Sequence, residues 1–165
     1  MAQNELIQEL HYDPVNGTFT RLKSNRTVKA GEIAGAIITL AHHSKQYVRI
    51  GVFGKYFYAH RLAFLYMLGR WPIGDIDHIN QNSLDNSWTN LRECSHKENG
   101  KNQKKYNTNT SGHTGIHQRK NGKWRVRICV EGKHINVGTF NTYDLAGLAR
   151  KNAEKVYDFH KNHGK

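Results

Sequence analysis

The stretch that decides the fold is residues 76–102, which read IDHINQNSLDNSWTNLRECSHKENGKN. It opens with an acidic residue directly followed by a histidine, Asp77 and His78. One asparagine, Asn90, stands twelve residues after the histidine, and another, Asn99, stands nine residues further on. Side chains that handle protons and bind metal ions are therefore unusually dense here.

Local patterns in this stretch predict two strands and a helix. Alternation of apolar and polar residues predicts a short strand at 74–79, and a second at 90–94. A helix is predicted from Ser95, because Ser95 and Glu98 have the spacing of a capping box. Asn102 is expected one turn after Asn99 on the same helix face. The order is strand, long loop, strand, helix.

These residue types suit the hydrolysis of a phosphodiester bond. Hydrolysis needs a base that accepts a proton from water near neutral pH, and we expect His78 to be that general base. Asp77 and Asn99 offer a carboxylate and an amide oxygen, which are ligands for one Mg²⁺ or Mn²⁺ ion. Asn90 is expected to hold the loop by side-chain hydrogen bonds to the backbone and to help fix the imidazole.

The same stretch resembles the HNH nuclease motif, in particular that of phage and intron-encoded homing endonucleases. The resemblance is carried by residues 77–78 at the opening, 85–86 and 90–92 in the middle, and 98–102 at the end. It implies a ββα-metal fold in which His78 activates water, Asp77 and Asn99 bind one divalent ion, and Asn90 is the central structural asparagine. Many relatives carry histidine at the position of Asn99, and the asparagine in this chain favours an oxygen-only ligand set.

Composition points to a polyanionic partner. The chain has 165 residues and a formal net charge of +12, which suits one or two small domains that bind nucleic acid. Nine Lys or Arg residues lie in 97–127 against one acidic residue. Cys94 and Cys129 lack partners at zinc spacing and are expected to be small buried residues on strands. No signal or membrane-length segment is visible, so a cytoplasmic protein is expected.

The segment before the motif is predicted to be a small antiparallel sheet with helices. A helix is expected near 5–10, a hairpin at 47–59, and a helix at 60–68 that Gly69 ends. Two readings stay open for this segment, a plain scaffold or a scaffold that also lends Arg49 and Arg61 to DNA. For His60 a packing or phosphate-contact role is favoured over a catalytic one.

Residues 103–112 have the composition of a linker, and its Lys104 and Lys105 are candidates for contact with a DNA backbone. Residues 113–165 then predict three strands in a meander and a final helix. The middle strand alternates, so Arg125 and Arg127, together with Arg119, are expected on the face that the helix leaves open. The apolar stripe of the helix is predicted from its spacing, and its members are Leu145, Ala149, Ala153 and Val156.

This carboxy-terminal order resembles the DNA-binding domain of the plant ethylene-response-factor (APETALA) family, which phage HNH endonucleases also carry. The resemblance is carried by residues 115–116, 122–124 and 137–140 and by the Ala-rich helix that follows. It implies that the sheet enters the major groove with Arg119, Arg125 and Arg127 facing DNA. Arginine can read guanine edges with two hydrogen bonds.

The sequence therefore predicts an α+β protein with a scaffold and nuclease domain at 1–102, its nuclease core at 74–102, a linker at 103–112 and a DNA-binding domain at 113–165. The predicted activity is metal-dependent, site-specific cleavage of double-stranded DNA to 5′-phosphate and 3′-hydroxyl ends, by a monomer that nicks or a homodimer that cuts both strands. One alternative is a DNA-binding protein whose nuclease element is vestigial. Another is an RNA-binding or structure-specific nuclease.

Overall fold

The computed structural model describes residues 1–41, 45–102, 109, 111–160 and 163. The chain divides into two compact units, Met1–His96 and Lys97–Lys165, and each is described by itself. Small antiparallel sheets and short helices form the described parts, so the predicted α+β class is confirmed. The predicted domain boundaries at 102 and 113 stay a prediction.

Helices and strands of the amino-terminal unit follow one another in short segments. In chain order they are α1 (Gln3–Glu9), β1 (Leu10–Asp13), β2 (Thr18–Arg21), β3 (Ala36–Thr39), β4 (Gln46–Val52), β5 (Lys55–Tyr58), α2 (Ala59–Leu68), β6 (Asp75–His78), a 3₁₀ turn (Trp88–Asn90), β7 (Leu91–Cys94) and the start of α3 (His96–Gly100). Each described sheet pairs neighbours in sequence: β1 with β2, β3 with β4 and β5, and β6 with β7.

One apolar core joins these sheets to α1 and α2. Its buried members are Leu6, Leu10, Tyr12, Phe19, Ala34, Ile50, Val52, Ala59, Leu62, Ala63, Phe64, Leu65 and Leu91. The last of these opens β7, so the core reaches the strand pair that carries the motif. Helix α2 ends as predicted at Gly69, whose φ of +70° is left-handed and whose N–H donates to the Leu65 carbonyl.

The turn between β1 and β2 packs directly on the long loop of the motif. The Tyr12 hydroxyl donates to the Asn86 carbonyl at 2.7 Å, and the Trp88 N–H donates to the Pro14 carbonyl at 2.8 Å. A Cβ on Gly17 would lie 2.2 Å from the backbone of Asn86, and Gly17 has a φ of +69°. Only glycine fits there, because no side chain can occupy that space.

The carboxy-terminal unit is a three-stranded meander under one helix. Its elements are β8 (Ile116–Gln118), β9 (Trp124–Val130), β10 (Lys133–Phe140) and α4 (Tyr143–Val156), with β9 in the middle of the sheet. Thr142 caps α4 by accepting the Leu145 N–H at 3.3 Å. Val126 and Ile128 are buried, as the alternation in β9 predicts.

The predicted apolar stripe of α4 is wrong at both ends. Leu145 is 52% exposed and Val156 is 77% exposed. The helix buries Ala146, Gly147, Arg150 and Ala153, and of these Ala153 belongs to the predicted stripe. These residues are small or charged, so they give little hydrophobic signal in the sequence.

Two further expectations fail for local reasons. Helix α3 ends at Gly100, a poor helix former, so Asn102 lies in the turn beyond it, where its N–H donates to the Asn99 carbonyl. Cys129 is exposed rather than buried, because it alternates with the inward-facing Ile128 on β9. Cys94 is buried as expected.

Candidate active site around His78

The pairing of β6 with β7 brings the Asp-His pair of the motif into the interior. Asp77 lies opposite Arg92, and His78 lies opposite Leu91. Asp77 is 5% exposed and His78 is 7% exposed. Two titratable side chains in sequence are thus held in positions where most of their water has been removed.

Asp77 shares its buried charge with Arg92. The Nε and Nη2 atoms of Arg92 lie 2.8 Å and 2.7 Å from the same carboxylate oxygen, Oδ2 of Asp77. A buried carboxylate is costly unless it is paired and hydrogen-bonded. The guanidinium therefore fixes the orientation of the carboxylate that the sequence predicts to be a metal ligand.

Asn86 is a polar neighbour of the His78 ring. Its Oδ1 atom lies 3.4 Å from Nε2 of His78, and its Nδ2 atom donates to the Leu84 carbonyl at 3.1 Å. The second hydrogen bond settles which end of the amide faces the histidine, so Nε2 must be the donor. A neutral His78 ring then carries its proton on Nε2 and uses Nδ1 as the proton-accepting nitrogen.

Burial decides the charge state of His78. Loss of solvent lowers its pKa, whereas the hydrogen bond to Asn86 and the carboxylates of Asp77 and Asp85 raise it. The net effect places the pKa below the ordinary value of 6.5. The imidazole is therefore neutral at pH 7 and able to accept a proton.

A second histidine lies against the first. The rings of His60 and His78 meet edge to face with centroids 5.2 Å apart. Burial, and after it the nearby His78 and Arg61, lowers the pKa of His60 to about 3. Nδ1 of His60 is buried and has no hydrogen-bond partner among the described residues. His60 thus packs as a neutral ring beside His78, which agrees with the packing role favoured from the sequence.

Asn90 ties the two ends of the long loop together. Its Oδ1 atom accepts the Asn80 N–H at 2.9 Å, and its Nδ2 atom donates to the Asp85 carbonyl at 2.7 Å. Its own carbonyl accepts the Ile79 N–H. The side chain therefore holds the backbone on both sides of the loop that follows His78, and a catalytic contribution of Asn90 stays a prediction.

Glu93 on β7 clamps the segment that leads into β6. Its carboxylate accepts from Arg70 at 2.7 Å and from the backbone N–H groups of Ile73 and Gly74. The hydrogen bond from Arg70, followed by those from Gly74 and Ile73, lowers the pKa of Glu93 to about 2. The clamp fixes where the strand bearing Asp77 begins.

The other predicted site residues differ in their burial and in their hydrogen bonds. Asn99 is half-buried on α3, and Asn102 is buried in the turn after it. Arg49 is exposed, whereas Arg61 donates to the Pro72 carbonyl at 3.2 Å and so fastens α2 to the following loop. Lys104 and Lys105 lie outside the described residues, and their predicted contact with DNA stays a prediction.

In the carboxy-terminal unit, the open face of the sheet carries the predicted arginines. Arg125 pairs with His117 on one side and Thr139 on the other, and Arg127 pairs with Asn136. Loss of solvent and the neighbouring charges of Arg127 and Arg119 lower the pKa of Arg125. Like charges held together in this way favour an anionic partner.

Sequence reasoning missed Asn86 as a neighbour of the catalytic candidate. Asn86 belongs to the part of the motif quoted at residues 85–86, but the motif assigned it no role beside the histidine. What singles it out is its packing: it is 2% exposed and its carbonyl receives the hydroxyl of Tyr12, seventy-four positions earlier. A contact over that sequence distance leaves no local signal.

Two features are absent from the described residues. No three His, Cys, Asp or Glu side chains come together there in a way that could hold a metal ion. No helix in the same residues is long and apolar enough to span a membrane.

Comparison with known proteins identifies the motif. Residues 57–101 match the model of the HNH endonuclease family, so the chain carries an HNH endonuclease domain. The chain is also similar to Protein 3.8 of Escherichia phage T7, with 41% identity over 71 residues, which cover 42% of this chain and 56% of that protein. The match thus spans little more than half of the phage protein. No solved structure matches the chain.

Proposed function

We propose that this chain, with its HNH endonuclease domain at residues 57–101, is a metal-dependent, site-specific DNA endonuclease of the phage or intron-encoded type. The observation that carries the proposal is the setting of His78. A buried, neutral imidazole, oriented by Asn86 and directly preceded by a buried carboxylate, is a poised proton acceptor. The similarity to a phage protein supports the phage origin.

In the proposed reaction His78 removes a proton from water through Nδ1. The resulting hydroxide attacks phosphorus, the bond from phosphorus to the 3′ oxygen breaks, and that oxygen takes up a proton. The products are a 5′-phosphate and a 3′-hydroxyl end. Asn86 keeps the imidazole in the required tautomer throughout, because its carbonyl oxygen accepts the Nε2 proton.

A divalent cation fits the donor chemistry of the predicted ligands. Asp77 and Asn99 would hold it through oxygen, which suits Mg²⁺ or Mn²⁺ and disfavours zinc. When bound, such an ion neutralises charge on the phosphate and on the departing oxygen. Arg92 holds the Asp77 carboxylate through Oδ2. The pairing of Asp77 with Asn99 rests on the motif spacing.

Specificity is proposed to come from the open face of the carboxy-terminal sheet. Arg119, Arg125 and Arg127 supply the charge, and strands β9 and β10 are long enough to line a major groove. The alternation that buries Val126 and Ile128 under α4 leaves the arginines on the other side. The ethylene-response-factor likeness of this unit is part of the same proposal.

A nicking assay tests the proposed activity. Supercoiled plasmid is incubated with the protein and Mg²⁺, with Mn²⁺, or with EDTA, and the ends formed are sequenced and tested for ligation. We expect nicked or linear DNA with ligatable ends only when a divalent ion is present. A purified protein that binds the plasmid and leaves it supercoiled under every metal condition would instead support a DNA-binding protein with a vestigial nuclease element.

A further inference from the structure

The outer side of the sheet formed by β3, β4 and β5 presents tyrosines and one arginine. Alternation turns Val48, Ile50, Val52 and Phe57 toward the apolar core. The opposite side carries Tyr47, Arg49, Tyr56 and Tyr58, which we call the tyrosine face. Tyr56 and Arg49 are exposed, whereas Tyr47 and Tyr58 are half-buried.

Contacts within the tyrosine face hold its side chains in place. The guanidinium of Arg49 lies over the Tyr56 ring at 4.6 Å. That ring lies across Gly51, where a Cβ would come within 3.2 Å of it. Arg49 is also the strand partner of Tyr58. The face is therefore an ordered surface rather than a set of independent side chains.

The tyrosine face continues without a break to the candidate general base. The rings of Tyr47 and Tyr58 lie 5.4 Å apart, and Tyr58 stacks on His60 with an angle of 8° between the planes. The ring of His60 in turn contacts the ring of His78, and the ring centroids of Tyr47 and His78 lie 6.4 Å apart. The Ser83 hydroxyl, from the loop after His78, donates to the carbonyl at the start of β4.

The charge of this segment matches a polyanion. No aspartate or glutamate occurs between Ile33 and Gly74, whereas Arg49, Lys55 and Arg61 fall in that range. Phenolic hydroxyls and arginine are among the groups that contact phosphate and sugar in protein–DNA complexes. Burial, and after it the neighbouring Tyr58, raises the pKa of Tyr47, so its hydroxyl stays a hydrogen-bond donor.

We propose that the tyrosine face binds the sugar–phosphate backbone of the DNA strand immediately beside the scissile phosphate. The proposal rests on the proposed endonuclease function. It assigns the surface that binds the DNA strand next to the candidate active site around His78. Tyr47 and Tyr58 donate hydrogen bonds nearest the cut, and Arg49 with Tyr56 contacts the backbone further along. His60 connects the two regions by packing.

The test separates a phosphate contact from ring packing. Tyr47, Tyr56 and Tyr58 are all replaced by Phe, which removes each hydroxyl and keeps each ring. The full-length chain with His78→Ala is the parent, and binding of a fluorescein-labelled random-sequence duplex is measured in EDTA by anisotropy over a salt series. Thermal unfolding of both proteins checks that the rings still pack. Because nothing is cleaved, the outcome does not depend on nuclease activity.

We expect the triple variant to bind at least about tenfold more weakly than its parent. Arg49→Gln should lower the slope of log affinity against log salt by about one, as loss of one phosphate contact does. The matched control, Arg26→Gln, removes the same charge from the exposed loop after β2 and should leave the slope unchanged. If the triple variant binds as tightly as its parent, the tyrosines only pack and the proposal fails.

A second measurement uses the unaltered tyrosines. Once the nick has been mapped, duplexes with a photoreactive group on the phosphates beside it are bound to the His78→Ala protein and irradiated. Cross-links to peptides from β4 and β5 support the proposal, and cross-links confined to other peptides overturn it. Absence of any nick would count against the endonuclease proposal, while the anisotropy experiment would still decide the binding surface.

Discussion

The loop that follows His78 and the open face of the carboxy-terminal sheet place their functional side chains by opposite means. His78 and the loop residues Asn86 and Asn90 are buried, and hydrogen bonds within the loop and from Tyr12 hold the loop in place. On the sheet, Arg125 and Arg127 stand in register on a strand and retain contact with solvent. Chemistry on a phosphate needs geometry fixed in advance, whereas a DNA-binding surface must adapt to its partner.

The apolar cores beneath the two regions also differ, because the amino-terminal core is larger than the carboxy-terminal one. The amino-terminal core joins α1, α2 and strands from every described sheet of its unit. Among the described residues, the main carboxy-terminal cluster joins buried Ile116, Val126 and Ala146 to aromatic residues packed around them. Changes in the loop are therefore expected to act through position, and changes on the sheet through charge. Four predictions follow this contrast from its largest expected effect to its smallest.

Removing the candidate base gives the largest effect. His78→Ala is expected to slow plasmid nicking by about 10²–10⁴-fold, the usual contribution of a general base, while DNA affinity stays close to that of the wild type. Nicking rates and binding isotherms measure the two. His11→Ala, which removes an exposed imidazole from β1, is the matched control and should cut normally. Equal rates for the His78 variant and the wild type would remove this residue from the mechanism.

The fixed position of the loop is tested at Gly17. Gly17→Ala forces a Cβ into the backbone of residues 86–87, so we expect a loss of roughly 3 kcal/mol in unfolding free energy together with slower nicking. Gly54→Ala is the matched control, because Gly54 has a φ of +71° but open space around it. It should cost only about 1–2 kcal/mol, the strain of the left-handed conformation. If denaturant titrations gave the same loss of unfolding free energy for both variants, the loop must move to make room for the new Cβ atom.

The adaptable region is tested at its arginines. Arg125→Ala or Arg127→Ala is expected to weaken DNA binding by about 1–3 kcal/mol for a base contact, or to lower the salt slope by about one for a phosphate contact. Lys151→Ala on the exposed side of α4 serves as the control. Unchanged affinity and salt slope for both arginine variants would show that the open face does not contact DNA. The sheet would then not be the DNA-binding region in this comparison.

The smallest effect concerns the clamp at Glu93. Because hydrogen bonding lowers its pKa in the folded chain from 4.5 to about 2, the ionised carboxylate stabilises the fold above pH 4.5, and this contribution is lost as pH falls toward 2. The melting temperature of Glu93→Gln should therefore lie below that of the wild type at pH 6, and the gap should close on acidification. If the difference in melting temperature stayed constant with pH, the variant would lose stability through the shape of the new side chain and not through the loss of charge.

Sequence patterns predicted most of the fold because the residues that end its helices and set the faces of its strands act locally. Gly69 ends α2, and alternation in β9 separates Val126 from Arg127. The HNH endonuclease match likewise follows from residues close together in sequence. Each of these signals lies within a few residues of the structure that it determines.

What the sequence could not predict depends on contacts between distant segments. The position of Asn86 against His78 follows from Tyr12 and Gly17, far away along the chain. The buried side of α4 carries Ala146, Gly147 and Arg150, residues that a hydrophobicity pattern does not single out. The ligand pairing of Asp77 with Asn99 and the reading of DNA by the sheet stay predictions.

The close fit of Gly17 against the backbone of the loop also limits how this HNH endonuclease domain can be exchanged between genes. A recombination event that transferred residues 57–101 alone would carry His78 and Asn90 but leave behind the hairpin turn on which Asn86 rests. The recipient would inherit a recognisable motif with an unsupported histidine. The heritable module therefore begins near the amino terminus of the unit, well before the first residue of the family match.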